Sequence, residues 1–332
     1  MIREEKYWVE LAESTICSHP LILVGIGVDQ LRSFQALGGQ IRAAVSVLPP
    51  NLTFLPVDET FPVLKLETRA RDIFQIVVDD FAQTLSRNQD QVIRFFNQVD
   101  SNRESVVVSY LPLPHALLDG RQGWAQDSGV SRAIEKKSNI AKIFHNKVTL
   151  VPGEIVSRPL DLESWNTLVK KLGTPRLVLQ QTGLNGGGLG TCLCATYPDA
   201  CKVLSKWEEH EIKISECVEG IPCNIMGSII DHNHTLILPP SRQLVNEEDG
   251  LPIYAGNDFS PFLSDDEVAE ITREARGIGK VLAEMSFTGP FGLDFIRKTD
   301  GTRLYHDINP RMNGAMDSLA FYFSQNGCDP LR

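Results

Sequence analysis

Two apolar-rich runs, PLILVG from Pro20 to Gly25 and SVVVSYL from Ser105 to Leu111, predict strands, the first of them buried. From Ile73 to Phe96 the apolar residues recur at helical spacing instead. These elements predict an N-terminal α/β domain that ends in the polar, glycine-bearing stretch from Gly120 to Gly129. Gly25-Ile26-Gly27 lacks the third glycine of a dinucleotide fingerprint, so the Rossmann signal is partial. Ser131 to His145 reads as a helix, and Asp161 caps another that runs through Lys171 and stops at Gly173. Arg176 to Gln181 and the run from Thr191 are β-prone, Pro198 to Trp207 is a short helix, and Glu211 to Glu216 is a strand. Cys223 to Leu238, broken by Asp231-His232-Asn233-His234, reads as a hairpin. Ser264 to Met285 is a long amphipathic helix with acids in its first turn, where the helix dipole favours them. No internal repeat interrupts this order.

The stretch FGLDFIRKTDGTRLYHDINPR, Phe291 to Arg311, carries the sharpest chemical signal. Two apolar runs flank Asp300-Gly301, a dipeptide suited to a two-residue hairpin turn. A turn centred there makes Thr299 face Thr302 and Asp294 face Asp307, with Cβ atoms ~5 Å apart. Asn309 joins the same side, because strand side chains repeat every second residue. Facing like charges are unfavourable unless something offsets them. Hard oxygen ligands of this kind suit Mg²⁺, which takes one or two protein carboxylates and fills its other positions with water and phosphate oxygens. An exposed acidic hairpin is the bland alternative, but Leu293, Phe295 and Ile296 leave that strand little solvated character.

A glycine-dense loop lies upstream in RLVLQQTGLNGGGLGTCLCAT. Gly183, Gly186, Gly187, Gly188 and Gly190 leave backbone N–H groups free to approach a ligand, as in phosphate-wrapping loops. No Gly-Lys-Ser/Thr follows, so it is not a P-loop, and the next segment is extended rather than helical, so it is not a dinucleotide turn. A flexible surface hairpin would account for the glycines equally well. The acidic hairpin downstream favours a nucleotide phosphate held between the two.

On these features the chain resembles the ATP-grasp superfamily of carboxylate–amine and carboxylate–thiol ligases, from about Arg132 to Asn313. Glu135-Lys136-Lys137-Ser138-Asn139 looks like the segment supplying a first phosphate-binding lysine, best matched by Lys137. Gly186, Gly187, Gly188 and Gly190 look like the phosphate-covering loop, and Glu216, Val218 and Glu219 like the hinge that holds adenine and ribose. Asp294, Asp307 and Asn309 match the metal-binding acid, acid and asparagine, with Arg311 closing the motif. The resemblance implies an N-terminal Rossmann-like domain, residues 1–125, then an ATP-grasp fold of two α+β subdomains clasping ATP, residues 126–215 and 216–332. It also implies ATP with Mg²⁺, or Mn²⁺, as cofactors. The reaction implied is activation of a carboxylate as an acyl phosphate and its capture by an amine, both small molecules of the amino-acid class, in a monomer or homodimer. Arg311 and Arg242 are the cations expected to hold the acid or acyl phosphate. Family members often continue past the acidic hairpin, so an end short of the family's full length is expected here.

The departures are as informative. The family usually has lysine on the strand entering the glycine loop, where this chain has Gln181. Pro222 stands where many ligases have glutamate, and Asp307 where glutamate is commoner. The absent lysine suggests a second reading, a catalytically silent ATP-binding module. A ligase using a thiol or carrier-protein acceptor is a third.

Composition sets the bounds. A 332-residue chain that is 42% hydrophobic can bury the cores of two or three subdomains. A net charge of −10 and a pI near 5.3 argue against nucleic-acid binding and leave ATP dependent on locally placed cations. No apolar run approaches the ~20 residues of a membrane helix. The residues after Met1, IREEKYWVE, lack a signal-peptide core, and seven scattered cysteines suit a reducing cytoplasm. Cys192 and Cys194 alternate on one strand without a second pair at zinc spacing, which makes them packing residues. His232 and His234 sit at a solvated hairpin tip rather than in a metal pair.

Overall fold

The computed structural model describes residues 17–27, 39–48, 61–68, 80–182, 190–248, 251–313 and 315. They fall into two compact units, divided between Ser131 and Arg132.

The first unit is built on a parallel sheet. Its strands are β1 (Leu21–Gly25), β2 (Ile41–Leu48), β3 (Val63–Glu67), β4 (Val106–Val108) and β5 (Gly123–Trp124), in the order β3-β2-β1-β4-β5. That order, with β1 at the switch point, is the doubly wound arrangement that the incomplete glycine pattern only hinted at. Ile22 and Val24 join one apolar cluster and Leu21 and Leu23 another, which is why the strand reads as an unbroken apolar run. Helices α1 (Phe81–Arg87) and α2 (Gln89–Val99) cover the first cluster with Phe81, Leu85, Val92 and Phe96. Residues 73–79 of the expected helix lie outside the described residues. The remainder breaks at Asn88, whose side-chain amide donates to the Thr84 carbonyl at 2.8 Å and closes α1. The stretch expected to be a linker contributes β5 instead, because Val107 and Val108 offer a parallel edge to pair with.

One buried ion pair ties this unit together. Asp100, at the end of α2, accepts from Arg121 Nε at 3.0 Å and from the Ser105 amide at 3.3 Å, and Arg42 reaches it from β2. Arg121 also donates to Asn97 at 2.9 Å and lies over the Phe96 ring. Neither the Asp100 nor the Arg121 side chain is exposed. Burial alone would raise the Asp100 pKa, but Arg121 first, then Ser105 and Arg42, outweigh it and hold the carboxyl below its ordinary value.

The second unit contains two antiparallel sheets. It opens with the end of α3 (Ser128–Glu135) and with α4 (Lys137–Ile143). Together these replace the single helix expected from Ser131 to His145, since Lys136 takes extended backbone (φ −58°, ψ 118°) and turns the chain. The smaller sheet has the order β6-β9-β7-β8, from β6 (Gly153–Ser157), β7 (Leu177–Gln181), β8 (Thr191–Cys194) and β9 (Glu211–Glu216). Helices α5 (Leu162–Leu172) and α6 (Tyr197–Leu204) cover one of its faces. There Trp165, Leu168, Ala200 and Leu204 pack on Leu177, Leu179, Cys192, Cys194, Ile212 and Ile214. Asp161 caps α5 by accepting from the Ser164 amide at 2.7 Å, and Gly173 ends it with φ of 70°.

The larger sheet has the order β13-β12-β10-β14-β15, with β11 (Thr235–Ile237) on the far end of β10. Its strands are β10 (Ile221–Ile229), β12 (Ser241–Glu248), β13 (Leu251–Asp258), β14 (Gly289–Arg297) and β15 (Arg303–Asn309). Helix α7 (Asp265–Glu284) packs against β10, opened by a capping box between Ser264 and Glu267. Edge strand β15 is itself covered, since Tyr305 exchanges backbone hydrogen bonds with Thr149 and Val151. Among the described residues no helix is long and apolar enough to cross a membrane.

Replacing Asp100 with alanine leaves the buried Arg121 guanidinium with only the partly exposed Asp119 carboxylate, 3.5 Å away, as a charged partner among the described residues, and should cost about 3 kcal/mol of unfolding free energy. Denaturant unfolding of Asp100→Ala against wild type checks this, and a loss under about 1 kcal/mol would refute it.

Candidate functional site

The β14–β15 hairpin turns differently from expectation and still brings the acids together. Lys298 N donates to Thr302 O at 2.9 Å and Gly301 N to Lys298 O at 3.0 Å, so the loop is the three residues Thr299 to Gly301. Gly301 takes φ of 84°, the left-handed position that closes such a loop. Thr299 therefore does not face Thr302. Arg297 pairs with Arg303, Ile296 with Leu304 and Phe295 with Tyr305, and then Asp294 pairs with Asp307. His306 is the extra residue of a β-bulge, and this second one-residue offset cancels the first. The bulge also splits the strand's faces. Tyr305 enters the core against Phe295 and Phe144, while Asp307, two residues on, stands with Asp294.

Polar side chains converge on this rung. Asp294 accepts from Asn224 Nδ2 at 2.6 Å, Gln243 Nε2 at 3.0 Å and Asn309 Nδ2 at 2.9 Å. Asp307 accepts from Lys137 Nζ at 2.5 Å, delivered by α4. Arg311 donates to Asn309 Oδ1 at 3.0 Å and pairs with buried Glu135 at 3.1 Å, which orients the asparagine. Lys213, on β9 of the smaller sheet, donates to the His306 carbonyl at 2.9 Å.

The two carboxyls are driven apart in acidity. Removal from water, then the charge of Asp307, pushes Asp294 up to about 6. Asp307 is subject to the same removal from water, but the charge and hydrogen bond of Lys137 outweigh it and its pKa lies below the ordinary value. Burial, then the nearby Lys137, lowers Lys213 to about 8, and burial lowers His306 to about 4, which keeps that imidazole neutral.

The donor set fits a hard divalent cation. It offers two carboxylates and an asparagine, and Asn224 Oδ1 beside them is buried without a partner among the described residues. Among the described residues no group of three or more His, Cys, Asp or Glu is placed to hold a metal.

Other expected residues are placed as follows. Arg242 pairs across the ladder with Cys223, and therefore lies on the opposite face of the sheet from Asp294. It stacks over Phe262 and faces Asp258 at 3.7 Å, and its neighbour Gln243 reaches the acids instead. Gln181 pairs with Ile212 on the helix-covered face and donates to Glu209 at 2.7 Å, turned away from the lysines. Glu216 ends β9, and Val218 and Glu219 lie in the connection from the smaller sheet to the larger. Gly186, Gly187 and Gly188 lie outside the described residues. Gly190 is described, with φ of 75° and its carbonyl accepting from Gln181 N at 2.9 Å at the base of the loop. His234 binds Asp231 at the exposed hairpin tip. Sequence reading missed Asn224, Gln243, Glu135 and Lys213.

No family model and no curated protein matches the chain. Solved structures do. The L-amino acid ligase from Bacillus licheniformis aligns with TM-score 0.66 at 12% identity, over 95% of this chain and 72% of its own. Biotin carboxylase from Campylobacter jejuni, in a nucleotide complex, gives TM-score 0.67 at 11% identity, over 93% and 69%. Carboxyaminoimidazole ribonucleotide synthase from Aspergillus clavatus, complexed with ATP, gives 0.61 at 13%, over 90% and 71%. At these identities the likeness concerns the fold alone, and the chain has the ATP-grasp fold.

Two outcomes follow. The folded pKa of Asp294, about 6, exceeds its unfolded value of roughly 3.9. Such a group adds stability below its unfolded pKa and loses that contribution as pH rises through the folded one. Metal-free wild type should thus lose stability relative to Asp294→Asn between about pH 4 and about pH 7. Thermal denaturation in chelator across that range checks it, and a constant gap between the two proteins would contradict it. Gln181→Lys, facing Glu209, should leave ATP affinity within about threefold of wild type, under ~1 kcal/mol by calorimetric titration.

Proposed function

We propose that the protein is an ATP-dependent ligase that activates a carboxylate as an acyl phosphate and transfers the acyl group to an amine. The observation that carries this reading is the Asp294–Asp307 rung, with Asn309 beside it and the orphaned Asn224 Oδ1 next to it, on an ATP-grasp fold. Facing acids in a shielded place need cations, and a magnesium nucleotide needs such acids.

In this reading Asp294, Asp307 and Asn309 hold Mg²⁺, or Mn²⁺, which when bound neutralises charge on the nucleotide phosphates. Asn224 and Gln243 fix the Asp294 carboxyl, and Arg311 fixes the Asn309 amide through its pairing with Glu135. Lys137 stands beside Asp307 as the lysine for phosphate. The connection from Glu216 through Val218 to Glu219 takes adenine and ribose, and the glycines Gly186, Gly187, Gly188 and Gly190 approach the phosphates. A substrate carboxylate oxygen attacks the terminal phosphorus and ADP leaves. The amine nitrogen then attacks the acyl carbon, inorganic phosphate leaves with the C–O bonding pair, and the nitrogen gives up a proton. Small carboxylates and amines, amino acids among them, are the proposed substrates, handled in the cytoplasm by a monomer or homodimer.

A silent ATP-binding module is the competing reading, and Gln181 favours it, since its amide is occupied by Glu209 and adds no charge. A thiol or carrier-protein acceptor would change the nucleophile and leave the first step intact. Release of ADP and phosphate in the presence of ATP, Mg²⁺ and a pooled amino-acid library separates ligase from silent module.

The decisive variant is Asp294→Asn. It removes the acid that is costly to ionise and leaves the Lys137–Asp307 pair in place, so the fold should persist while ADP release falls to background. Asp307→Asn should also abolish turnover but strands Lys137 without its partner, and should be the less stable of the two. Activity within about threefold of wild type in both would remove the site assignment.

A further inference from the structure

The smaller sheet has one face covered by α5 and α6, and one carrying Val178, Gln180, Thr191, Lys213 and Ser215. On that second face Lys213 and Gln180 are a directly opposed pair on β9 and β7. Lys213 is only 8% exposed, yet it forms no ion pair among the described residues. Its nearest carboxylate neighbour, Asp307, is already taken by Lys137. An ammonium has three N–H donors. One goes to the His306 carbonyl, which the bulge frees from the ladder, and the other two have no partner among the described residues. A cation this buried, with spare donors and a second lysine for a neighbour, is unfavourable unless an anion completes the site.

We infer that Lys213 is a nucleotide-binding residue that donates to a phosphate oxygen, so that the positive charge absent from the glycine-loop strand at Gln181 is supplied by the strand beside it. This rests on the ATP reading above. The replacement is geometric as well as chemical. Gln181 belongs to the helix-covered face, whereas Lys213 belongs to the opposite face and touches the hairpin that carries the acids. The His306 carbonyl holds the ammonium beside Asp307 without neutralising it, so the charge remains available to a ligand.

Lys213→Met tests this, because methionine keeps the apolar stem and removes the buried charge together with its bond to the His306 carbonyl; the variant is expected to melt within a few degrees of the wild-type temperature. Titrating MgATP and adenosine separately into wild type and variant gives the readout. The expected result is at least about a tenfold loss of MgATP affinity, with adenosine affinity unchanged, as for loss of a charge-assisted hydrogen bond to phosphate. Equal MgATP affinity in both proteins would overturn the role of Lys213 while leaving the ATP reading standing. Parallel loss of MgATP and adenosine would also overturn it, by showing a purely structural lysine. A wild type that binds no MgATP would overturn the ATP reading itself and this assignment with it.

Discussion

Repulsion between two carboxylates on one rung of a shielded ladder is the constraint around which the larger sheet is organised. At ~5 Å and an effective dielectric of ~20 it amounts to about 3 kcal/mol. A hydrogen bond to a charged group contributes about 1.5–3 kcal/mol, so one lysine and a few amides are enough to contain it. The chain supplies that number: Lys137 on Asp307, and Asn224, Gln243 and Asn309 on Asp294. The division is unequal, and the acid with the lysine stays acidic while the one with amides does not. The protein thus stores an electrostatic demand for a cation in one position rather than spreading it over a patch.

The remaining elements keep that rung in place. Tyr305 anchors β15 in the core through its contacts with Phe295 and Phe144 and its hydroxyl bond to Glu274 of α7 at 2.6 Å. Arg303 reaches the same helix at Glu270 and Glu274. The chain entering the smaller sheet pairs with β15 at Tyr305, and α4 lies beside that strand. Lys137 and Lys213 therefore reach the hairpin from two different elements of the same unit.

Where local chemistry decides, the sequence was readable. The Asp161 cap, the Gly173 stop, the alternation that buries Cys192 and Cys194 and the whole of α7 need only nearest neighbours along the chain. The acidic rung was legible for a less secure reason: the loop is one residue longer than the Asp-Gly turn implies, and the His306 bulge restores the count. Gln181 and Arg242 were placed by spacing to motifs, and spacing does not report which face of a strand a residue occupies. Only the pairings with Ile212 and Cys223 settle that. Lys213 was missed because Ile-Lys-Ile is the ordinary signature of a half-exposed strand. Its burial comes from a hairpin some ninety positions away in the chain, 93 to be counted from the hydrogen bond itself. A lysine opposite a glutamine, in a sheet whose neighbouring loop demands charge, was the available clue.

The bulge at His306 has a further consequence. Phe295 opposite Tyr305 and Asp294 opposite Asp307 are both regular pairs, so the ladder would close just as well without the residue between them. What would vanish is the carbonyl that holds Lys213. Here the chain encodes a contact by length rather than by letter. The imidazole can be exchanged without altering that bond, whereas removal of the whole residue would erase it and leave the pattern of facing side chains intact. For this position an alignment column would understate what matters, and a gap would reveal it.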